Sequence, residues 1–185
     1  MDLITRTFTV KRERTLQKYP FTTYSFIWYE QIDPILEKAC KYFRELMKHG
    51  LDSMPLAKSV SGADACIVPV ERREDDLIQF AKDSNYMNRG KFQHEVLEQY
   101  LLENDPATMA VEIPVYDDEY LGHIDILRWH NKRFQIVDFK PNAAKEKKAG
   151  TQVARYRQLF SKNTGIPERL IDGAYFDEFN SYHLI

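Results

Sequence analysis

Tyr120-Leu121-Gly122-His123-Ile124-Asp125-Ile126-Leu127-Arg128-Trp129-His130-Asn131-Lys132-Arg133-Phe134-Gln135-Ile136-Val137-Asp138-Phe139-Lys140 is the stretch that decides the fold. Tyr120 to Trp129 is strand-like, Phe134 to Lys140 alternates apolar and polar residues, and His130 to Arg133 is short enough to close a hairpin. With Asn131 and Lys132 as the two-residue turn, counting outward places Asp125 directly opposite Asp138. Cross-strand neighbours have Cβ atoms roughly 4.5 to 5.5 Å apart, and like charges there repel unless compensated. A bound cation is the simplest compensation. Lys140 follows Asp138 by two, so both side chains leave one strand face and flank one pocket.

The segments around this hairpin predict the remaining elements. Gly90 to Asn104 reads as a helix with Phe92, Val96, Leu97, Tyr100 and Leu101 on its apolar side, and with His94 and Glu98 one turn apart at the edge of that stripe. Such a helix can offer a further ligand to the sheet. Val111, Ile113 and Val115 alternate as a strand, Thr151 to Lys162 reads as a helix, and Leu170 to Phe176 and Tyr182 to Ile185 read as closing strands. Upstream, Ile32 to His49 is predicted helical, with Asp33 as N-cap and Pro34 in the first turn. A second, charged helix is predicted from Glu71 to Lys82. The order of elements makes a mixed α/β domain with an N-terminal helical portion over 1–86 and a core over 87–185, together one compact unit.

A chain of 185 residues, 43% hydrophobic and 29% charged, is long enough to bury a continuous core without disulfides. No run approaches a membrane span and no secretory signal opens the chain, so an intracellular, cytoplasmic protein is expected. Cys40 and Cys66 are too few for a disulfide framework or a four-thiolate metal site, and both are expected to be free, buried thiols. The net charge of −2 argues against gripping nucleic acid by bulk positive charge. Its distribution is more informative: Phe92 to Leu127 holds no Lys or Arg, whereas Lys132 to Lys162 is strongly basic. An acidic segment beside a basic one suits a cation site next to a phosphate track. Thr5 to Tyr29 interleaves basic and aromatic residues, a composition that can contact DNA but more often reflects buried aromatics.

Four short pieces carry a resemblance: Gly90-Lys91-Phe92-Gln93-His94, then Gly122-His123-Ile124-Asp125, then Ile136-Val137-Asp138-Phe139-Lys140, then Gln152-Val153-Ala154-Arg155-Tyr156. In this order and spacing the chain resembles the RecB-like branch of the PD-(D/E)xK nucleases, including the helicase-linked exonucleases and similar CRISPR-associated nucleases. The resemblance implies a restriction-endonuclease-like fold, a mixed sheet flanked by helices, and a DNA exonuclease dependent on Mg²⁺ or Mn²⁺. It implies His94, Asp125, Asp138 and the main-chain carbonyl of Phe139 as metal ligands and Lys140 as the catalytic lysine beside Asp138 and Asp125. Gln152 and Tyr156, with Arg155 between them, would hold the substrate strand. A helicase or recombination partner is a further expectation. Two departures stand out: Ile124 replaces the proline that names the superfamily, and the cysteines that hold an iron-sulfur cluster in many relatives are missing, so no cluster is expected.

Two rivals are open to the residues. One is a catalytically silent nucleic-acid-binding module of the same fold. The other joins His123, Asp125 and His183 as the iron site of a non-haem oxygenase. Glu98 and Glu112 are candidates for supporting carboxylates, with a solvated acidic face as the ordinary reading.

Overall fold

The computed structural model describes residues 4–11, 21–28, 33–49, 58–62 and 66–185, with backbone alone for the first two segments. In chain order its elements are β1 (Ile4–Lys11), β2 (Phe21–Trp28), α1 (Pro34–His49), β3 (Lys58–Ser59), β4 (Val70–Arg73), α2 (Asp76–Ser84), α3 (Gln93–Asn104), β5 (Thr108–Tyr116), β6 (Tyr120–His130), β7 (Arg133–Phe139), α4 (Ala149–Thr164), β8 (Ile171–Phe176) and β9 (Ser181–Leu184). The described strands form one sheet in the order β1-β2-β5-β6-β7-β8-β9-β4, with β3 paired to β6 off this path. The β7–β8 and β3–β6 pairs are parallel and the others antiparallel. This is a mixed α/β sheet, in agreement with the class expected from the sequence.

The central hairpin forms as its turn chemistry dictates. Asn131 and Lys132 have φ of 51° and 60°, the pair of positive φ values that a type I′ turn requires. From there β6 and β7 pair from His130↔Arg133 to Ile126↔Val137. This register is the one that sets Asp125 across from Asp138. β7 then connects through α4 to β8, which lies parallel to β7.

Helices cover both faces of the sheet. On one side Ile113, Ile124, Leu127, Phe134 and Ile136 pack with Phe43 of α1 and with Val153 and Phe160 of α4. On the other, Val111, Ile126, Val137 and Phe139 pack with Leu77 of α2 and with Leu97 and Leu101 of α3. In a regular strand Val111 and Ile113 would share a face. They do not, because Glu112 between them has a φ of 54° and turns β5 over. Ile124 and Ile126, which pair with Ile113 and Val111 across β5 and β6, likewise fall on opposite sides on either side of Asp125. The two acids thus sit where the sheet twists out of phase.

Three expectations need correction. The portion over 1–86 is not simply helical: β1 and β2 extend the sheet beyond β5, and β4 closes the opposite edge beside β9. Glu71–Arg73 belongs to strand β4, not to the helix expected from Glu71, because it pairs with Ser181–His183 and α2 starts only at Asp76. There the Asp75 carboxylate accepts from Leu77 N at 3.2 Å as the N-cap. The helix expected from Gly90 starts at Gln93; Tyr86–Phe92 is a 3₁₀ segment broken at Gly90, whose φ of 60° suits glycine. At α1, by contrast, Asp33 caps as expected, accepting from Ile35 N at 2.8 Å. No helix among the described residues is long and apolar enough to cross a membrane.

Candidate metal centre

β7 delivers Asp138, Phe139 and Lys140 to the site, and burial of Phe139 fixes where its end lies. The Phe139 ring is packed against Tyr86, His94 and Phe176, with centroids 4.6, 5.1 and 5.8 Å away. Beyond the last β6–β7 pair, Phe139 N donates to Asp125 Oδ2 at 3.0 Å. His94, on the first turn of α3, places Nδ1 3.6 Å from the same oxygen. Lys140 Nζ stands 2.6 Å from Asp138 Oδ2. The structure therefore brings the His94, Asp125, Asp138 and Lys140 side chains together around the Phe139 backbone N–H and ring.

The carboxylates are poorly neutralised. Asp138 is fully buried, and its close polar neighbours are the Lys140 ammonium, 2.6 Å from Oδ2, and the Asp125 carboxyl beside it. Burial, with Asp125 beside it, pushes Asp138 up to about 8. Burial and then Glu112 push Asp125 up to about 6. Burial holds the His94 imidazole below its usual range, helped by the Lys140 charge, so it is neutral near pH 7 and keeps a lone pair for a ligand.

Two further acids join this group, and the solvated reading fails for Glu98 and holds only in part for Glu112. Glu98 is buried, one helical turn after His94, with Oε1 unpartnered. Burial, Glu112 and Asp125 together push it up to about 10. The half-buried Glu112 is its hydrogen-bonding neighbour and is likewise raised by burial. Glu112 Oε2 also lies 3.9 Å from His123 Nδ1. Glu98 was visible at one turn from His94, but nothing in the sequence announced the left-handed Glu112 that brings the second acid inward.

The α4 residues reach the same region from the opposite face. Tyr156 is buried against Gly122: a Cβ added there would lie 2.5 Å from Tyr156 Cε1. A glycine at 122 is what lets the ring lie on β6. Burial, then Asp125 and Asp138, raise the Tyr156 phenol well above its ordinary range, and Gln152 Nε2 donates to its hydroxyl at 2.9 Å. Arg155 sits nearer the surface, its guanidinium 4.6 Å over the Tyr120 ring and donating to Gln158 Oε1 at 3.1 Å.

Other expectations fare differently. Cys40 is buried, but Cys66 is exposed, its backbone bonded to the Thr151 hydroxyl. The oxygenase site is not assembled. His183 lies on β9, three strands from β6 and so roughly 14 Å across the sheet, and its Nε2 is held by Asp75 Oδ2 at 2.5 Å. The basic and aromatic interleaving of Thr5 to Tyr29 concerns side chains outside the described residues. Among the described residues no three His, Cys, Asp or Glu side chains form a ready-made cage; the cation beside Asp138 is Lys140 itself. No protein-family model matches this chain, and neither does any curated protein or solved structure.

Proposed function

We propose that this chain is a divalent-metal-dependent nuclease that hydrolyses DNA phosphodiester bonds, acting from strand ends, with the acid-lined region between α3, the middle of β6 and the end of β7 as its active site. One observation carries the reading. Asp138 and Asp125 are buried side by side with the single Lys140 ammonium in direct contact, and two buried carboxylates that share one cation are costly unless a further cation completes them. Carboxylate oxygens with a neutral imidazole are a donor set suited to Mg²⁺ or Mn²⁺. His94, Asp125, Asp138 and the Phe139 carbonyl would hold the ion, with Glu98 and Glu112 behind them. Bound there, it would supply Lewis acidity toward a phosphoryl oxygen.

The chain's own groups supply the rest. Lys140 brings a cation that cannot ligate the metal but can stabilise negative charge developing on the phosphoryl group. The carboxylates raised by burial would release protons on binding a cation. Gln152 and Tyr156 face the same acids from α4 and would position the sugar-phosphate strand. Asp125, anchored by Phe139 N, keeps its ligand orientation without relying on the metal.

The test is incubation of end-labelled linear and closed circular DNA with Mg²⁺ or Mn²⁺, with Asp138→Ala alongside. Metal-dependent loss of the linear substrate, absent in the variant and in EDTA, is expected. Robust cleavage in EDTA, or by Asp138→Ala, would sink the assignment. A second reading, a silent nucleic-acid-binding module, is favoured by one observation: at 2.6 Å the Lys140 ammonium gives Asp138 one counter-charge from within the fold. DNA binding with no cleavage in either metal would select it.

A further inference from the structure

Phe179 is 65% exposed at the tip of the β8–β9 turn, where it contributes nothing to either core. The turn that carries it is held firmly. Asp177, 3% exposed, accepts through Oδ1 from Phe179 N and Asn180 N, each at 2.7 Å. Arg72 Nη2 adds a bond to Phe179 O at 3.3 Å. The second Asp177 oxygen accepts from Ala143 N at 2.8 Å, in the loop that follows Lys140. One buried carboxylate thus fixes two surface segments against each other. Both start at the active site, because Lys140 N donates to Phe176 O at 2.9 Å, immediately before Asp177.

The loop so fixed is basic. Lys145, Lys147 and Lys148 are exposed, and among the described residues none of them forms an ion pair. The acid between them, Glu146, accepts from Lys148 N at 3.1 Å. An exposed aromatic on a turn that Asp177 ties to a loop of exposed ammonium groups has the chemistry of a single-stranded nucleic acid track: phosphates bind the cations and an unpaired base offers its face to the ring. In a duplex that face is covered by its neighbours.

Resting on the nuclease reading for the site it adjoins, we infer that Phe179 and Lys145, Lys147 and Lys148 form a binding track for a single strand passing the active site, with Phe179 stacking on an unpaired base and the lysines holding phosphates. Asp177 is the positioning residue that joins the two halves. Unlike Gln152 and Tyr156, these residues lie outside the acidic pocket and can bind a strand without metal.

The experiment measures anisotropy of a fluorescein-labelled oligothymidylate, and of a duplex of equal length, in EDTA over a salt series. The proteins are wild type, Phe179→Ala, Phe179→Trp and the triple variant Lys145→Ala, Lys147→Ala, Lys148→Ala; all four positions are exposed, and circular dichroism checks folding. Phe179→Ala should weaken single-strand binding about tenfold with an unchanged salt slope, and Phe179→Trp should restore it. The triple variant should lower the slope of log K against log salt by about 2. Wild-type affinity in Phe179→Ala, an equal loss on duplex, or an unchanged slope in the triple variant would overturn the track. Because EDTA removes turnover, these outcomes are independent of whether the chain cleaves DNA: binding that behaves as expected without cleavage leaves the track standing and the nuclease reading fallen.

Discussion

Two buried charge clusters share strand β6, three residues apart, and they are built on opposite principles. Around Arg128 every charge is answered. Its guanidinium reaches Asp105 at 2.7 Å, Asp76 at 2.6 Å and Gln135 at 2.9 Å, while Asp105 also accepts from Ala107 N and Thr108 Oγ1 at 3.0 and 2.6 Å. Burial lowers the Arg128 pKa, but these two acids outweigh it and raise it overall. Around Asp125 the balance fails: Glu98, Glu112, Asp125 and Asp138 gather with Lys140 as the cation in direct contact. The first cluster ties α2 and the end of α3 to the sheet. The second stores electrostatic cost where nothing in the fold requires it, which is what a site awaiting a cation would do.

If that contrast is right, the largest effect belongs to Lys140. Lys140→Ala should lower single-turnover cleavage about a hundredfold or more, through loss of a preorganised charge near the phosphoryl group. Mn²⁺ affinity should be equal or tighter, because the ammonium 2.6 Å from Asp138 competes with the metal. Weaker Mn²⁺ binding with normal cleavage per bound ion would make Lys140 a structural partner and would join the two clusters into one kind.

Stability should change in opposite directions at the two clusters. Arg128→Ala leaves Asp105 buried and unpaired and should cost about 3 to 5 kcal/mol by urea denaturation. Glu98→Gln removes an acid that the fold already holds protonated, so in EDTA it should stabilise the protein while weakening Mn²⁺ binding. A destabilised Glu98→Gln in EDTA would show that Glu98 serves the fold.

The pH dependence has a definite sign. Asp138 binds its proton more tightly in the folded state, so its contribution is intact below pH 3.8 and drains away as pH rises toward about 8; Asp125 acts the same way between 3.8 and about 6. Metal-free protein should therefore lose stability from this cluster across that range, and the Mn²⁺-induced rise in Tm should grow from pH 5.5 toward pH 8. A metal-induced shift that is flat with pH would mean that no proton leaves on binding.

A smaller effect tests the α4 side. Gly122→Ala would push a methyl group against the Tyr156 ring and should cost about 1 to 3 kcal/mol, less if Tyr156 shifts.

The parts of this picture that could be read from sequence are those set by local chemistry. Asn131-Lys132 fixed the hairpin register, and that register put Asp125 by Asp138; the alternation of Phe134 to Lys140 put Lys140 on the face of Asp138. What was not legible depends on distant partners. Glu71–Arg73 is charged enough to pass for a helix until Ser181–His183 lies beside it. The interleaved basic and aromatic residues of Thr5 to Tyr29 give no strand signal of their own; β1 and β2 are defined by their pairing with each other and by that of β2 with β5. Glu98 and Glu112 looked like a solvated face because burial of an acid follows from its neighbours across the sheet, and a left-handed glutamate inside a strand has no sequence signal.

Calorimetric titration of Mn²⁺ into the protein at pH 7.5 tests the central claim most directly, with Asp138→Asn and Arg128→Met titrated in parallel. Saturable binding by wild type and by Arg128→Met, with proton release and with loss of binding in Asp138→Asn, is the predicted result. Absence of Mn²⁺ binding by the folded wild-type protein, or undiminished binding by Asp138→Asn, would contradict the cation site.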